Sequence, residues 1–341
     1  MKGGKVYLGR MVLAVAVMLA TACTKEKLDD RKPLGYFEIE LSNDSGFGNQ
    51  AGVHDDETED CSRIYIYSAE GDKPLVLEQN CKYEDAEMRH VFRGTLPVGK
   101  YHVITMNTRH TNAELKHEKN YETARIDVVK ADQAVAVTKA DGSLIGEPAT
   151  VFLTHQHKIK GEETLETLLE IKDRETVKAE TTPQSMIKRI SFTIALENPL
   201  AADACSAVFS GISQAVKCST CECIPTNPAN AQLMIERDPA APRNLFRATL
   251  NLFGLVPTGN KTHMLDLTLT IDGKDYHLSP PLDLSAEVEK KLKELEDQGL
   301  EFTFEIPLNL EIKVKRDIDG ELKASVKGWD DGGTGSGMGG V

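Results

Sequence analysis

The stretch from Phe302 to Val314 constrains this chain's fold more than any other segment. Phe302, Phe304, Ile306, Leu308, Leu310, Ile312 and Val314 take every second position, with Glu301, Thr303, Glu305, Pro307, Asn309, Glu311 and Lys313 between them. Successive side chains of a β-strand point to opposite faces, so a strict period of two makes one face dry and the other wet. That is the pattern of an inner wall in an antiparallel sandwich. Pro307 has no N–H to donate to a ladder, which predicts an edge strand or a bulge at that point. Asp319-Gly320 then turns the chain into a strand over Leu322 to Val326, and Trp329 is expected to close the core.

The same period recurs upstream. Phe37-Glu-Ile-Glu-Leu41 alternates apolar and acidic residues, and Ile64-Tyr-Ile-Tyr67 is β-branched and aromatic. Lys100 to Met106 is entered through Leu96-Pro97-Val98-Gly99, and shorter candidates follow at Ala124 to Val129, Ala134 to Val137, Val151 to Leu153 and Leu165 to Ile171. Glu70-Gly-Asp-Lys-Pro74 reads as the turn of a hairpin joining Arg63–Tyr67 to Leu75–Leu77. Thr181-Thr182-Pro183 interrupts the pattern, after which Ile190, Phe192, Ile194 and Leu196 open a second run of strands. Phe246 to Phe253 and Leu265 to Ile271 continue it, the latter running into the hairpin signal Asp272-Gly273. One helix stands out, with Ser285 as N-cap, Val288, Leu292 and Leu295 on one stripe, and Gly299 as stop. No strand–helix alternation is present. The fold class is therefore all-β: two tandem antiparallel β-sandwich domains, residues 36–183 and 184–330, with one short helix. The glycine-rich tail 331–341 reads as disordered.

The N-terminus carries an export pattern. Lys2, Lys5 and Arg10 precede an unbroken apolar run, Met11 to Ala20. The run is too short for a ~30 Å hydrocarbon core but fits a signal peptide, here residues 1–22. Ala20-Thr21-Ala22 satisfies ordinary secretory cleavage, whereas Leu19-Ala-Thr-Ala-Cys23 resembles a lipobox with Ala20 in place of the usual Leu. The cysteine at the cleavage point, and the polar tether over residues 23–35, favour lipidation of Cys23. Acyl chains contribute about 0.8 kcal/mol per buried CH₂, so several of them on one cysteine anchor a chain durably. The expected location is the cell outer membrane, lipid-anchored and surface-exposed. A formal net charge of −13 disfavours nucleic acid and anionic lipid headgroups as partners.

Removing Cys23 leaves six cysteines, Cys61, Cys81, Cys205, Cys218, Cys221 and Cys223, in a compartment where disulfides persist. The β-hairpin between Cys61 and Cys81 brings that pair together. Cys205, Cys218, Cys221 and Cys223 fit either two disulfides pinning a loop or, less readily, a structural zinc, since the C-x-C step is tight and no second C-x-x-C matches the first. His155-Gln-His157 places two imidazoles on one strand face, half a metal site that nothing nearby in sequence completes. His102 is expected on the solvent side. Asp55 to Asp60 lacks the spaced register of a calcium loop and reads as solvated. No phosphate loop, G-x-S-x-G or H-E-x-x-H occurs, so no metal, cofactor or enzymatic activity is predicted.

The lipobox, the Phe37–Leu41 strand, Phe92-Arg-Gly-Thr-Leu-Pro-Val-Gly-Lys-Tyr101, Arg189-Ile-Ser-Phe-Thr-Ile194, Leu250-Asn-Leu-Phe-Gly-Leu-Val256 and Val326-Lys-Gly-Trp329 resemble, in that order, fimbrillin-like surface lipoproteins of Bacteroidetes, the fimbrial anchor type among them. The resemblance implies two transthyretin-like sandwiches and a non-catalytic role as fimbrial anchor, tip or accessory subunit, or adhesin, assembled by β-strand addition. Its implied partners are other fimbrial or surface subunits, with a host protein or glycan as ligand. The cysteine-rich segment Cys205–Cys223 departs from the family pattern. The alternative is a surface glycan-binding lipoprotein associated with polysaccharide uptake. That role needs exposed aromatic platforms, for which Tyr36 and Tyr83 are the candidates.

Overall fold

The structure, a computed structural model, describes residues 32–41, 62–81, 90–108, 112–130, 143–197, 199–226, 228–237 and 244–328. The expected signal peptide 1–22, Cys23, Cys61, Tyr83, the strand expected at Ala134–Val137, the acidic stretch 55–60, Trp329 and the tail lie outside the described residues.

The chain runs through β1 (Leu34–Leu41), β2 (Ser62–Ser68), β3 (Leu75–Cys81), β4 (His90–Pro97), β5 (Gly99–Asn107), β6 (Ala113–Lys116), β7 (Arg125–Val128) and β8 (Leu144–Ile145). It continues through β9 (Phe152–Thr154), β10 (His157–Ile159), β11 (Leu165–Glu166), β12 (Leu168–Ile171), β13 (Thr176–Thr181), β14 (Gln184–Ser185), β15 (Lys188–Leu196) and β16 (Ala204–Ile212). A short hairpin, β17 (Ala215–Lys217) and β18 (Glu222–Cys223), leads to β19 (Ala229–Glu236), β20 (Leu245–Leu252), β21 (Met264–Ile271), β22 (Lys274–His277) and β23 (Leu282–Asp283). Helix α1 (Ser285–Asp297), β24 (Leu308–Arg316) and β25 (Leu322–Gly328) complete it. The structure has the all-β class, with one short helix among the described residues.

Among the described residues the strands form four sheets. Two of them, β11-β10-β13-β1-β4 and β14-β9-β5-β2-β3 with β12 on β5, face each other across one core. That core holds Phe37, Ile39, Ile64, Ile66, Phe92, Val103, Phe152 and Leu169. The largest sheet, β22-β21-β16-β19-β20-β15-β24-β25, takes β23 onto β21 and β8 onto β19. Its two edges meet at a single bridge between Leu278 and Leu322, so the sheet nearly closes on itself. The fourth sheet, β18-β17-β7-β6, joins the two parts of the chain.

Sheet β14-β9-β5-β2-β3 is covered on both faces. Ile64 and Ile66 of β2 face the first core, while Tyr65 and Tyr67 belong to the second, alongside Phe192, Phe209 and Phe246. Burial on both sides explains why β2 reads as Ile-Tyr-Ile-Tyr without polar alternation. Each part also pairs its first strand in parallel with a late one: β1 with β13, and β15 with β24. The sheets are mainly antiparallel as expected, with these parallel pairs inside them. Parallel neighbours cannot be joined by a tight turn, so each first strand must wait for a distant partner.

The strand expected from Phe302 begins only at Leu308. Thr303 and Ile306 close a turn instead, with Ile306 N–H donating to Thr303 Oγ1 at 3.0 Å. Phe302 and Phe304 pack under cations, Lys188 Nζ lying 5.7 Å from the Phe302 ring centroid and the Arg189 guanidinium 3.7 Å from that of Phe304. The strand is not at an edge, since β24 lies between β15 and β25. Ser285 does not cap the helix either. It is the first helical residue, and its Oγ accepts from Thr262 N–H and His263 N–H, both at 3.1 Å. The helix stop is as expected: Gly299 has φ +69°, and Leu300 N–H reaches Leu295 O while Gly299 N–H reaches Glu296 O, a Schellman motif. At the Asp272-Gly273 turn both residues have positive φ (50° and 73°), as a type I′ hairpin requires. Residues 70–74 likewise connect β2 to β3.

Candidate functional site

The cysteine-rich segment leaves the large sheet just after the bulged end of β16. Ser213 begins the departure, its Oγ donating to Ala215 O and Ile224 O, both at 2.9 Å, and so tying the two arms of the β17–β18 hairpin at their base. Val216 pairs with Cys223 and Lys217 with Glu222. Cys218-Ser219-Thr220-Cys221 is the turn, closed by Cys221 N–H donating to Lys217 O at 2.9 Å, with Cys221 at φ +59°. β17 adds to β7, so a hairpin from the second part of the chain extends a sheet of the first.

The turn docks on the first part through long-range contacts. Cys218 N–H donates to Ala124 O at 2.9 Å, and Tyr121 Oη donates to Ser219 O at 3.2 Å. The Tyr121 ring stacks on His102 with centroids 3.9 Å apart. His102 therefore does not stand on a solvent face as expected. Burial, followed by the nearby Lys73 ammonium, holds its imidazole below the usual range. His155 Nδ1 lies 3.3 Å from Cys221 Sγ, and burial lowers its pKa. The Cys221 thiol is itself pushed up to about 12 by burial. Cys223 donates from Sγ to Phe253 O at 3.1 Å, and its sulfur occupies the space a Cβ on Gly254 would need.

Cys205, Cys218, Cys221 and Cys223 are free thiols in the structure, so the expected two disulfides are not formed among them there. Cys205 is also far from the others. It pairs with Leu269 near the start of β16, seven residues before Ile212, or about 23 Å along an extended strand. Cys221 and Cys223 instead line a cleft with Lys188 and Phe253, at the other end of the sheet. Among the described residues no group of three or more His, Cys, Asp or Glu is arranged to hold a metal. The pair His155 and His157 splits: His155 turns to Cys221, and His157 is fully buried on β10. Cys81 ends β3 opposite Ser62, the residue after Cys61.

The cleft has a volume of about 680 Å³, with Gln156, Gln184, Lys188, Glu222 and Phe302 around the Cys221–His155 contact. A cysteine beside an imidazole is a nucleophile–base contact in form. Here the thiol pKa is raised instead of lowered, the opposite of what an activated nucleophile needs. The Cys221 thiolate is therefore scarce on its own, and any reaction of this sulfur depends on His155 as the proton acceptor beside it. Sequence reading missed His155 as a thiol partner, Tyr121 as a docking residue and Gly254 as the floor under Cys223. These contacts join residues 66, 98 and 30 positions apart, and no local signal marks them.

Fold and site together define a protein of stacked, mostly antiparallel sheets whose most distinctive chemistry is a thiol-bearing turn at the junction of its two parts. Neither known family profiles nor curated proteins match the chain. Among solved structures, a candidate adhesin from Bacteroides ovatus shares the fold with a TM-score of 0.53 at 16% identity, covering 76% of this chain and 85% of that one. The fimbrial anchor protein Mfa2 from Porphyromonas gingivalis aligns with a TM-score of 0.45 at 12% identity over 86% of this chain and 98% of its own. A candidate polysaccharide-binding protein from Bacteroides thetaiotaomicron aligns with a TM-score of 0.47 at 11% identity over 86% and 96%.

Proposed function

We propose that this chain is a non-catalytic cell-surface lipoprotein, a fimbrial anchor, tip or accessory subunit or an adhesin, that joins its neighbours by β-strand addition. One observation carries the reading. β25 is hydrogen-bonded to β24 on one side, and beyond the Leu278–Leu322 bridge its other side has no strand partner among the described residues. An open edge offers unpaired N–H and C=O groups to an extended segment of another subunit. The fold shared with a candidate adhesin supports the adhesive class. The export pattern, the lipobox and the tether over residues 23–35 support a lipid on Cys23 and an outer-membrane location. Residues 36–183 and 184–330 act as two interlocked sandwich units, and Cys61 and Cys81 are bridged across the β2–β3 hairpin.

A photo-crosslinking residue placed at Ser325, exposed on β25, tests this reading in producing cells without deleting the strand. Cross-links to another surface subunit are expected; cross-links only to this chain's own segments would sink strand addition at this edge. Palmitate labelling of the wild type against Cys23→Ala tests the anchor. A second reading, glycan binding, draws on Tyr36, which is 49% exposed on β1 beside exposed Leu34. A glycan array with Tyr36→Ala as control separates it from the first.

A further inference from the structure

We propose that Cys218 and Cys221 form a disulfide across the β17–β18 turn, closing the hairpin that stitches the two parts of the chain together.

Chain geometry selects this pair. The two residues are the first and last of a four-residue turn, a span that brings Cα atoms within about 7 Å. A disulfide bridges Cα atoms roughly 4.4–6.8 Å apart. The other cysteines are engaged elsewhere. Cys223 points its sulfur at Phe253 O over Gly254. Cys205 sits near the start of β16, about 23 Å along the strand from Ile212, after which the hairpin leaves the sheet. Cys218 is fully buried, whereas Cys221 is half-buried and borders the cleft, so a reagent reaches Cys221 first.

The chemistry needs an acceptor, which is a disulfide-bearing oxidant, either a small molecule or a protein. Cys221 gives its proton to His155 Nδ1 and attacks one sulfur of that disulfide. The oxidant's S–S bond breaks, a mixed disulfide forms on Cys221, and the released thiolate takes the proton back from His155. Cys218, losing its proton, then attacks Cys221 Sγ and expels the second oxidant thiol, which carries that proton away. Two protein thiols are oxidised to one disulfide, and one oxidant disulfide is reduced to two thiols.

Placement gives the bond its consequence. The turn holds the Tyr121–Ser219 and Cys218–Ala124 hydrogen bonds, so a closed turn fixes the face on which β17 meets β7. The inference concerns the folded chain alone and stands apart from the proposed role in surface assembly.

Proteolytic mapping tests it. The purified chain is equilibrated with oxidised and reduced glutathione, its remaining thiols are capped under denaturing conditions, and it is cut after Lys217 and Glu222. These cuts release Cys218–Glu222 with two of the cysteines and leave Cys223 on the next peptide. Under oxidising conditions Cys218–Glu222 should lack two hydrogens and carry no cap, while the Cys223 and Cys205 peptides carry one each. Capping of both Cys218 and Cys221, or a link from either to Cys223 or Cys205, would overturn the proposal. His155→Gln should slow closure by about a hundredfold, the low end of what a positioned base contributes. An unchanged rate would remove the imidazole from the reaction.

Discussion

Lowering the pH from 7 to 4 should destabilise this protein through one buried imidazole in particular. His157 lies on β10 with no exposed surface, opposite Glu166. Burial pushes its pKa from the ordinary 6.5 to about 4, with the Leu168 backbone and the Glu166 carboxylate acting weakly the other way. The unfolded chain takes up a proton near pH 6.5 and the folded chain only near 4. Between those values the unfolded state binds more protons, so stability is full above about pH 6.5 and is lost as the pH falls toward 4. At 1.36 kcal/mol for each pH unit of difference, this one group removes on the order of 3 kcal/mol. Urea unfolding at intervals from pH 8 to 4 measures the loss, with His157→Gln as the non-titrating comparison. His102, His155 and His263 are also lowered by burial and remain in both proteins, so the difference between the two curves isolates His157. Parallel curves for wild type and His157→Gln would refute the reasoning. So would an NMR titration placing the folded imidazole at or above its ordinary value.

Gly254→Ala forces a methyl onto Cys223 Sγ and should cost about 1–3 kcal/mol in denaturant unfolding, most of it recovered in the double variant with Cys223→Ala. Tyr121→Phe removes the 3.2 Å hydrogen bond to Ser219 O and should cost about 1 kcal/mol, readable as a lower melting temperature with the fold intact by circular dichroism. Glu38 sits between Arg93 and Lys178, whose hydrogen bonds lower its pKa, yet the cluster is open to water; Glu38→Gln should cost under about 1 kcal/mol and less still at high salt.

Local chemistry was legible where the cause is local. Asp272-Gly273 requires positive φ, Gly299 ends a helix, and the turn at 70–74 joins two β-runs, all within a few residues of the signal. Strand identity was legible too, because alternation reports which face is buried. Pairing was not. β1 finds β13, and β15 finds β24, more than 100 positions later in each case. Alternation was even misleading at Phe302–Ile306, where the buried Phe302 ring and the partly buried Phe304 ring lie under Lys188 and Arg189 instead of on a sheet.

The site divides along the same line. The sequence by itself determined the inventory: a basic and then apolar N-terminus running into Cys23, six further cysteines, a β-rich chain with one helix stop. Tertiary structure decided which groups meet. It put β2 between two cores, carried the Cys218–Cys221 turn across to Ala124 and Tyr121, set His155 against Cys221 and left Cys205 at the far end of its strand. Residue type and period are properties of neighbours along the chain. Contact between positions 155 and 221 depends on the packing of every sheet between them.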